Sequence, residues 1–424
     1  MKITALKARE ILDSRGVPTV ETTIELDNRI TATAAVPSGA STGATEVVEL
    51  RDNDPNRYFG QGVLKAVNNV NNVLAPELIG EKFLQQSQVD DLMIEIDGTP
   101  YKSKLGGNAI LSISMAYARA TAMMEGQELY EYFGQLYWGG LYDPKLLEMP
   151  QPMILIMEGG KHGNWATDIQ EYMIVPRREK FETFSDALRA GAEIFKATHD
   201  ILVKKGYSGN VGYEGAFAPS ELQGNQEAFE IIMQGIEVAG YRPRDEIVLA
   251  TDIAASEFFD YESQRYILRR EDSELTADEW VDLQAQWIDQ FPLWSIEDPL
   301  HEEDWDNWQK YTQRFGEDLQ IVGDDNLTTN VERIQRAIEE KTVNSVLIKL
   351  NQIGTVSETI DAIRVSTEAG FTTVISHRSG ETNDDIIADL VVGTPSGQCK
   401  FGGTCRGERL AKYNRLTEIE ALLK

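Results

Sequence analysis

The stretch "VNSVLIKLNQIG", residues 343–354, places a lysine directly after a run of branched apolar residues. A short run such as Val346, Leu347 and Ile348 predicts a buried strand. Lysine is rarely buried without a partner. Taken alone, Lys349 would therefore mark the point at which the strand reaches solvent. The other strands of the chain decide whether that interpretation holds.

The same arrangement recurs along the second half of the chain. The apolar runs in IVLATD, LWSIED, LQIVGDD, SVLIK, TTVISHR and GQCK end in Asp252, Glu297 with Asp298, Asp324 with Asp325, Lys349, His377 with Arg378, and Lys400. From residue 297 to 324, 349, 377 and 400 the steps are 27, 25, 28 and 23 residues, each the length of one strand and one helix. The longer step from 252 to 297 predicts an insertion.

Helical stretches at 186–206 and 276–291 alternate with these runs, which predicts a parallel sheet with crossover helices. Such a pattern over roughly 275 residues has the size of a (β/α)8 barrel. In a barrel the carboxyl ends of the strands converge on the rim where active sites lie. We therefore predict that Lys349 belongs to a site.

The first third of the chain has a different pattern. Alternation at 19–26 and the run at 29–43 predict strands, and the apolar spacing from Val63 to Leu74 and the small-residue-rich stretch 107–123 predict helices. We predict an α/β protein with an N-terminal α+β domain at 1–138, a Gly- and Pro-rich linker at 139–152 and a barrel domain at 153–424.

The charge balance restricts the partners. The chain has 40 basic and 69 acidic residues, a net charge of −29, which disfavours nucleic acid and anionic membranes. There is no signal-peptide pattern and no apolar run of membrane-spanning length. Two cysteines, Cys399 and Cys405, suit a reducing compartment. The expected location is the cytoplasm.

The residues at the predicted rim divide by charge. Asp252, Glu297 and Asp324 are hard oxygen ligands that suit Mg²⁺. The remaining residues are cationic or can become so, which suits a small anion with carboxylate and phosphate groups: Lys349, His377, Arg378 and Lys400. Neighbouring cations are expected to lower the pKa of Lys349 towards neutrality, so that it can take a proton from carbon next to a carboxylate.

The chain resembles the enolase family over essentially its whole length. The matching segments, in the family's order, are AREILDSRGVPTVE, PSGASTG, SKLGGNAIL, DIQEYMIVP, ATDIAASEF, SIEDPLHEEDW, IVGDDNLTTN, IKLNQIGT, SHRSGET and ERLAKYNRL. A lysine base beside one or two Mg²⁺ ions is the general pattern already known for that superfamily. The resemblance implies an N-terminal α+β domain capping a barrel that starts ββαα.

The resemblance also implies an activity, the Mg²⁺-dependent dehydration of 2-phospho-D-glycerate to phosphoenolpyruvate in glycolysis and gluconeogenesis. Lys349 would be the proton acceptor and Glu214 the proton donor. Asp252, Glu297 and Asp324 would hold one Mg²⁺, and a second would arrive with substrate beside Ser41. The other pocket residues would bind substrate: Arg378 and Ser379 the phosphate, Lys400 the carboxylate, with Gln170, Glu171, His162, His377 and Lys349 around them. Enolases are homodimers, sometimes octamers.

Three residues depart from the family pattern. Glu158 stands where the family usually has Asn, Tyr213 where it has Asp, and Ala216 where it has Gly. Loss of a carboxylate beside Glu214 is expected to make Glu214 easier to ionise and a weaker proton donor. Glu158 is expected to add negative charge to a loop that closes near an anionic substrate.

Two other functions compete with this interpretation. A diverged paralogue would act on a related 2-hydroxy acid, although Ser41, Arg378 and Ser379 match the phosphate arrangement. A non-catalytic binding protein would keep only the fold. The terminal ALLK resembles the tail by which some enolases bind plasminogen at cell surfaces, which would require a surface or secreted fraction without a signal peptide. Lys349 and all three carboxylates are present, which favours the enzyme.

Overall fold

The computed structural model describes residues 1–39 and 43–424. Ser41, predicted to contact a second Mg²⁺, lies outside the described residues. Within these two ranges, no helix is long and apolar enough to cross a membrane.

The N-terminal domain begins with an antiparallel three-stranded sheet of β1 (Ile3–Leu12), β2 (Pro18–Leu26) and β3 (Ile30–Ala35). In β2 the apolar and small residues from Val20 to Leu26 are buried at every second position, as the alternation predicts. The helices that follow are α1 (Leu64–Asn69), α2 (Ala75–Leu78), α3 (Gln86–Asp97), α4 (Gly107–Glu125) and α5 (Leu129–Trp138), with a π-helical turn (Val70–Leu74) joining the first two.

Helix α4 is buried on almost every side, since its many Ala, Ser and Gly residues allow close approach of neighbouring elements. It packs on β2 and β3 and also on barrel helices, so it fixes the N-terminal domain against the barrel. The predicted helix at 107–123 is confirmed.

The second domain is a closed eight-stranded barrel. In chain order its region contains β4 (Gln151–Glu158), β5 (Glu171–Pro176), β6 (Ile247–Asp252), β7 (Phe259–Asp260), β8 (Arg265–Leu268), β9 (Ser273–Leu275), β10 (Leu293–Glu297), β11 (Gln320–Gly323), β12 (Ser345–Ile348), β13 (Thr372–Ser376) and β14 (Gln398–Lys400). Strands β7 to β9 form a separate small sheet, which together with α8 (Ala277–Gln290) fills the predicted insertion. The remaining eight strands close the barrel.

Helices surround the barrel. They are α6 (Phe184–Lys205), α7 (Asn225–Val238), α8, α9 (Trp305–Phe315), α10 (Val331–Glu340), α11 (Leu350–Ile353), α12 (Val356–Glu368), α13 (Ile386–Val392) and α14 (Gly407–Leu423). Two strands precede the first two helices, so the barrel starts ββαα. The expected barrel with an N-terminal α+β domain is confirmed.

Strand β5 runs antiparallel to β4 and β6, whereas all other neighbouring strands of the barrel are parallel to each other. The beginning of β5 therefore lies at the same rim as the ends of the other strands. In the register Glu171 pairs with both Glu158 and Asp252. This reversal brings a residue from a strand start into the predicted site.

A separate apolar cluster includes Met153, Met173, Val248, Val322 and Leu347, which come from five barrel strands. Alternate residues of a barrel strand point inward, so this cluster fills the interior and supports the rim.

Between the domains, α5 ends at Trp138 and β4 begins at Gln151. The proposed division at 1–138, 139–152 and 153–424 stays a prediction.

Candidate active site

One pocket at the rim of the barrel gathers residues from many strands. It is lined by His162, Gln170, Glu171, Glu214, Asp252, Lys349, Ser376, His377, Arg378, Ser379 and Lys400. Ten of these eleven are predicted site residues, and only Ser376 is not. Glu297 and Asp324 join the group through ion pairs with two of the lining lysines. The arrangement is observed, and the individual roles stay predictions.

Lys400, on β14, lies among three carboxylates. Its Nζ is 2.7 Å from Glu297 Oε1, 3.2 Å from Asp252 Oδ2 and 3.3 Å from Glu171 Oε2. One ammonium thus faces three buried acids. Burial and the charge of Asp252 raise the pKa of Glu297 well above its usual range. The pocket therefore has more carboxylates than positive charge to balance them.

This surplus allows a test of whether a divalent cation fits. The ligands predicted for Mg²⁺ are buried hard oxygen donors, and a cation would relieve the burial and the repulsion from Asp252 that raise the pKa of Glu297. Asp298, Asp324 and Asp325 also place ligand atoms within 4.8 Å of one another, as do His162, Glu171 and Glu214. The second of these groups shares Glu171 with the three carboxylates around Lys400. The donor chemistry fits a metal ion.

Lys349 follows β12 and is the N-cap residue of the short helix α11. Its Nζ is 2.5 Å from Asp324 Oδ2, and its backbone N–H donates to Thr329 Oγ1 at 3.0 Å. Burial and the neighbouring cations lower the pKa of Lys349, but the acids around it, above all Asp324, together outweigh them, so the pKa is raised. The expected fall towards neutrality is therefore wrong for this arrangement, because the nearest charge is an acid.

Asp324 is held by several partners. Gln352 Nε2 donates to its second oxygen at 2.8 Å. Asp298 accepts the backbone N–H groups of Asp324 and Asp325, each at 2.9 Å. The Asp298 backbone has a φ of 43°, which few residues other than glycine adopt. The turn after β10 thus fixes the start of the loop after β11.

Glu214 lies between two histidines. His162 Nδ1 is 3.2 Å from Glu214 Oε1, and His377 Nε2 is 3.3 Å from Oε2. Burial raises the pKa of Glu214, but the two histidines outweigh it and hold the pKa well below the usual range. Burial and Arg409 help to lower the pKa of His377 to about 3. At His162 burial also lowers the pKa, but Glu214, Glu171 and Asp252 together outweigh burial and raise it. The ionised form of Glu214 is therefore favoured, and its charge favours the protonated form of His162.

The pKa of Glu214 is lowered, as the sequence predicts, but the two histidines are the cause. Tyr213 itself is 45% exposed and is not among the residues that line the pocket. Loss of an acid at that position is therefore not the dominant influence on Glu214.

The sequence predicts that Glu158 lies on a closing loop. In the structure it is instead the last residue of β4, and it is 1% exposed. Its carboxylate accepts the backbone N–H groups of Glu214 and Ala216. Burial and the charge of Glu214 raise the pKa of Glu158 to about 8. Its contacts are with the backbone of the Glu214 segment, and it is not among the pocket-lining residues.

The predicted phosphate-binding residue Arg378 is buried and bonded to an acid that the sequence interpretation missed. Its Nη1 is 2.9 Å from Glu46 Oε2, and Nη2 is 3.2 Å from Oε1. Asn351 Oδ1 accepts a further bond at 3.1 Å. Burial lowers the pKa of Arg378, but Glu46, with Asp324 and Asp325, outweighs burial and raises the pKa. The N-terminal domain thus contributes an acid to the site.

Sequence reasoning also missed Arg409, Gln352 and the anchoring role of Asp298. Arg409 lies on α14 and is fully buried. A signal was available, because the segment ERLAKYNRL was one of the family matches and Asp298 stands at a strand end. Neither signal indicates which groups these side chains contact.

Comparison with known families agrees with this geometry. The family model of the enolase N-terminal domain matches residues 3–133. The family model of the enolase C-terminal TIM barrel domain matches residues 146–424. Together the two matches cover nearly the whole chain, in the order in which the two domains occur. The chain therefore belongs to the enolase family.

Proposed function

We propose that this chain is a Mg²⁺-dependent lyase that reversibly dehydrates 2-phospho-D-glycerate to phosphoenolpyruvate, a step of glycolysis and gluconeogenesis. The observation that carries the proposal is the pocket in which a lysine, a glutamate–histidine pair and an acid-rich cluster lie together. A base, an acid and anion-binding groups are what this elimination requires.

The cationic side chains would hold the substrate. Arg378 can bind a phosphate in bidentate fashion, with Ser379 beside it, once the substrate competes with Glu46. Lys400 would face the substrate carboxylate. Two anionic groups bound at separate points fix the C2 hydrogen relative to the base, which gives a large part of the rate through orientation.

Asp252, Glu297 and Asp324 would hold Mg²⁺, which supplies positive charge next to the substrate carboxylate when bound. Lys349 takes the C2 proton. For that step its amine has to be neutral, so its pairing with Asp324 must weaken from the 2.5 Å contact seen here. Any positive group that engages the Asp324 carboxylate weakens this pairing and lowers the pKa of Lys349.

Glu214 and His162 would assist the departure of the C3 hydroxyl. The two buried groups lie 3.2 Å apart, so a proton on His162 can pass to Glu214 and from Glu214 to the substrate. The hydroxyl leaves as water when it receives that proton, so the pair serves as the general acid. In the reverse direction the same pair accepts the proton from water.

Three further expectations belong to this proposal. The protein would act in the cytoplasm, it would form a homodimer or octamer, and its terminal Lys424 would offer a secondary contact for plasminogen at a cell surface. The family membership supports the first two, and the exposed C-terminal residue is the basis of the third.

The test is formation of phosphoenolpyruvate from 2-phospho-D-glycerate by the purified protein, with Mg²⁺ and with chelator. Removal of the base in Lys349→Ala should lower turnover by about 10²- to 10⁴-fold, the usual contribution of a positioned acid or base. Lys102→Ala is the matched control, since Lys102 is also buried and paired with one carboxylate, Glu358, outside the pocket. Absence of turnover from a folded, Mg²⁺-binding wild-type protein would refute the proposal and direct the search to other 2-hydroxy acids.

A further inference from the structure

The segment that carries Glu214 is held in place by a carboxylate from a neighbouring strand. The Glu214 N–H lies 3.2 Å from Glu158 Oε1 and 3.1 Å from Oε2, and the Ala216 N–H lies 3.0 Å from Oε1. Glu158 is 1% exposed, so water does not compete for these bonds. Two backbone donors on either side of Gly215 are thus satisfied by one side chain.

The carbonyl groups of the same segment are bonded to other elements. Arg409 Nη2 donates to the Tyr213 carbonyl at 3.1 Å, and the Gly403 N–H donates to the Glu214 carbonyl at 2.9 Å. Cys405 Sγ donates to the Gly215 carbonyl at 3.1 Å. These three partners are donors, so they can bond only the carbonyl groups of the segment. Glu158 is the acceptor for its N–H groups.

Close packing leaves the Glu158 carboxylate little freedom. A Cβ at Gly212 would lie 2.6 Å from Glu158 Cδ and 2.7 Å from its Oε1. The position therefore requires glycine, so that the segment can approach the carboxylate. The φ of Gly215 is 80°, which also favours glycine at the turn between the two bonded amides.

We propose that Glu158 is a positioning residue for Glu214. It sets the segment from 212 to 216 so that the Glu214 carboxylate meets His162 and His377. The proposal rests on the proposed function for its kinetic consequences. Glu158 acts on the loss of the C3 hydroxyl, through Glu214, and not on removal of the C2 proton by Lys349.

The experiment separates these two steps. Exchange of the C2 proton of 2-phospho-D-glycerate with D₂O reports the base, and phosphoenolpyruvate formation reports the whole elimination. Glu158→Leu removes both hydrogen bonds and should lower kcat by about 10²-fold, the loss expected for a displaced catalytic group. Glu158→Gln keeps one acceptor oxygen and should lose only about tenfold. In both variants the KM and the C2 exchange rate should stay close to those of the wild type.

Glu420→Gln is the matched control. Glu420 accepts hydrogen bonds from the Phe184 and Ser185 N–H groups in the same way, but none of these three residues lines the pocket. It should leave kcat unchanged.

A double mutant completes the test. If Glu158 acts through Glu214, then Glu158→Leu in a Glu214→Gln background should cause no further loss of turnover. A further loss, or equal slowing of C2 exchange and elimination in Glu158→Leu, would overturn the proposal. So would wild-type kcat in Glu158→Leu.

Hydrogen exchange tests the positioning role without turnover. Peptides that cover residues 212–216 should exchange faster in Glu158→Leu than in the wild type, and not in Glu420→Gln. Unchanged exchange would overturn the proposal even if the wild type proved inactive on 2-phospho-D-glycerate. An inactive wild type with faster exchange in the variant would instead refute the proposed function alone.

Discussion

Arg409 Nη1 lies 2.6 Å from His377 Nδ1, in the buried space behind the pocket. Arginine can only donate a hydrogen bond, so Nδ1 is the acceptor and the proton of neutral His377 is on Nε2, facing Glu214. Arg409 also donates to the carbonyls of Arg378 and Ser379, at 2.6 and 2.7 Å. A single guanidinium thus fixes the tautomer of one pocket residue and the backbone of two others.

Replacement of this group by a smaller cation should therefore impair catalysis. Arg409→Lys keeps the charge but loses the planar fork that reaches several acceptors. We expect kcat to fall by about 10²-fold because His377 and Glu214 are no longer aligned. Steady-state kinetics of the folded variant would check this.

Arg415→Lys is the control for Arg409→Lys. Arg415 lies on the same helix and pairs with Asp389 and Glu128, none of which lines the pocket. It should keep wild-type turnover. Full turnover in Arg409→Lys would show that the orientation of His377 does not depend on the guanidinium.

Binding of Mg²⁺ should stabilise the folded protein, because the acid-rich cluster is assembled only in the folded state. At a free Mg²⁺ concentration 100 times the Kd, the free energy of unfolding should rise by about 2.7 kcal/mol. Glu297→Gln should abolish most of that increase. Asp168→Asn, which alters a buried acid bonded to the Arg269 and Arg270 amides, should retain it. Denaturant unfolding with and without Mg²⁺ gives the comparison, and an unchanged response in Glu297→Gln would exclude Glu297 as a ligand.

Asp298 should influence the affinity for Mg²⁺ indirectly, through the position of the loop that carries Asp324. Asp298→Asn leaves one acceptor oxygen for two backbone N–H groups and turns a donor towards the other, so the Asp324 loop should shift. Loss of such supporting contacts usually costs about 10- to 100-fold in metal affinity. Calorimetric titration with Mg²⁺ would measure the change. An affinity equal to that of the wild type would mean that the loop holds its position without Asp298.

Asp90, on α3, makes the stability of the fold depend on pH. It accepts hydrogen bonds from Ser357 and Gln86, and burial raises its pKa from 3.8 to about 6. Between about pH 4 and 6 the folded state therefore binds more protons than the unfolded state. Its stability should fall as pH rises through this range, by about 3 kcal/mol for this group.

Residue 90 cannot titrate in Asp90→Asn, so the variant should not lose this stability as pH rises. The unfolding free energy of the variant minus that of the wild type should therefore increase by about 3 kcal/mol from pH 4 to pH 6. Denaturant unfolding at several pH values would measure it. A constant difference would mean that Asp90 does not bind a proton in that range.

Local pattern was sufficient for much of this architecture. The alternation in β2, the helical spacing of α4 and the charged ends of the barrel strands are visible in the sequence, because side-chain periodicity follows directly from backbone geometry. The strand spacing also indicated which charged residues would meet, since all parallel strands of a barrel end at one rim.

Other features depended on contacts between distant segments. Periodicity carries no information on the direction of β5, so Glu171 at its start could be placed in the pocket only by family resemblance. The pKa of Lys349 was predicted in the wrong direction because Asp324, 25 residues away, lies nearer than any cation. Glu46 and Arg409 come from outside the barrel strands altogether.

By itself, the sequence determined the barrel with its N-terminal domain and the identity of the chemical groups at the rim, since both follow from local periodicity and order along the chain. Only the tertiary structure decided which groups face one another, and therefore which are ionised. Burial and pairing act over a few ångströms, and those distances are set by the packing of segments up to several hundred residues apart. Glu158 shows the difference: in the sequence it is an unexpected charge, and in the fold it accepts hydrogen bonds from the backbone N–H groups of Glu214 and Ala216.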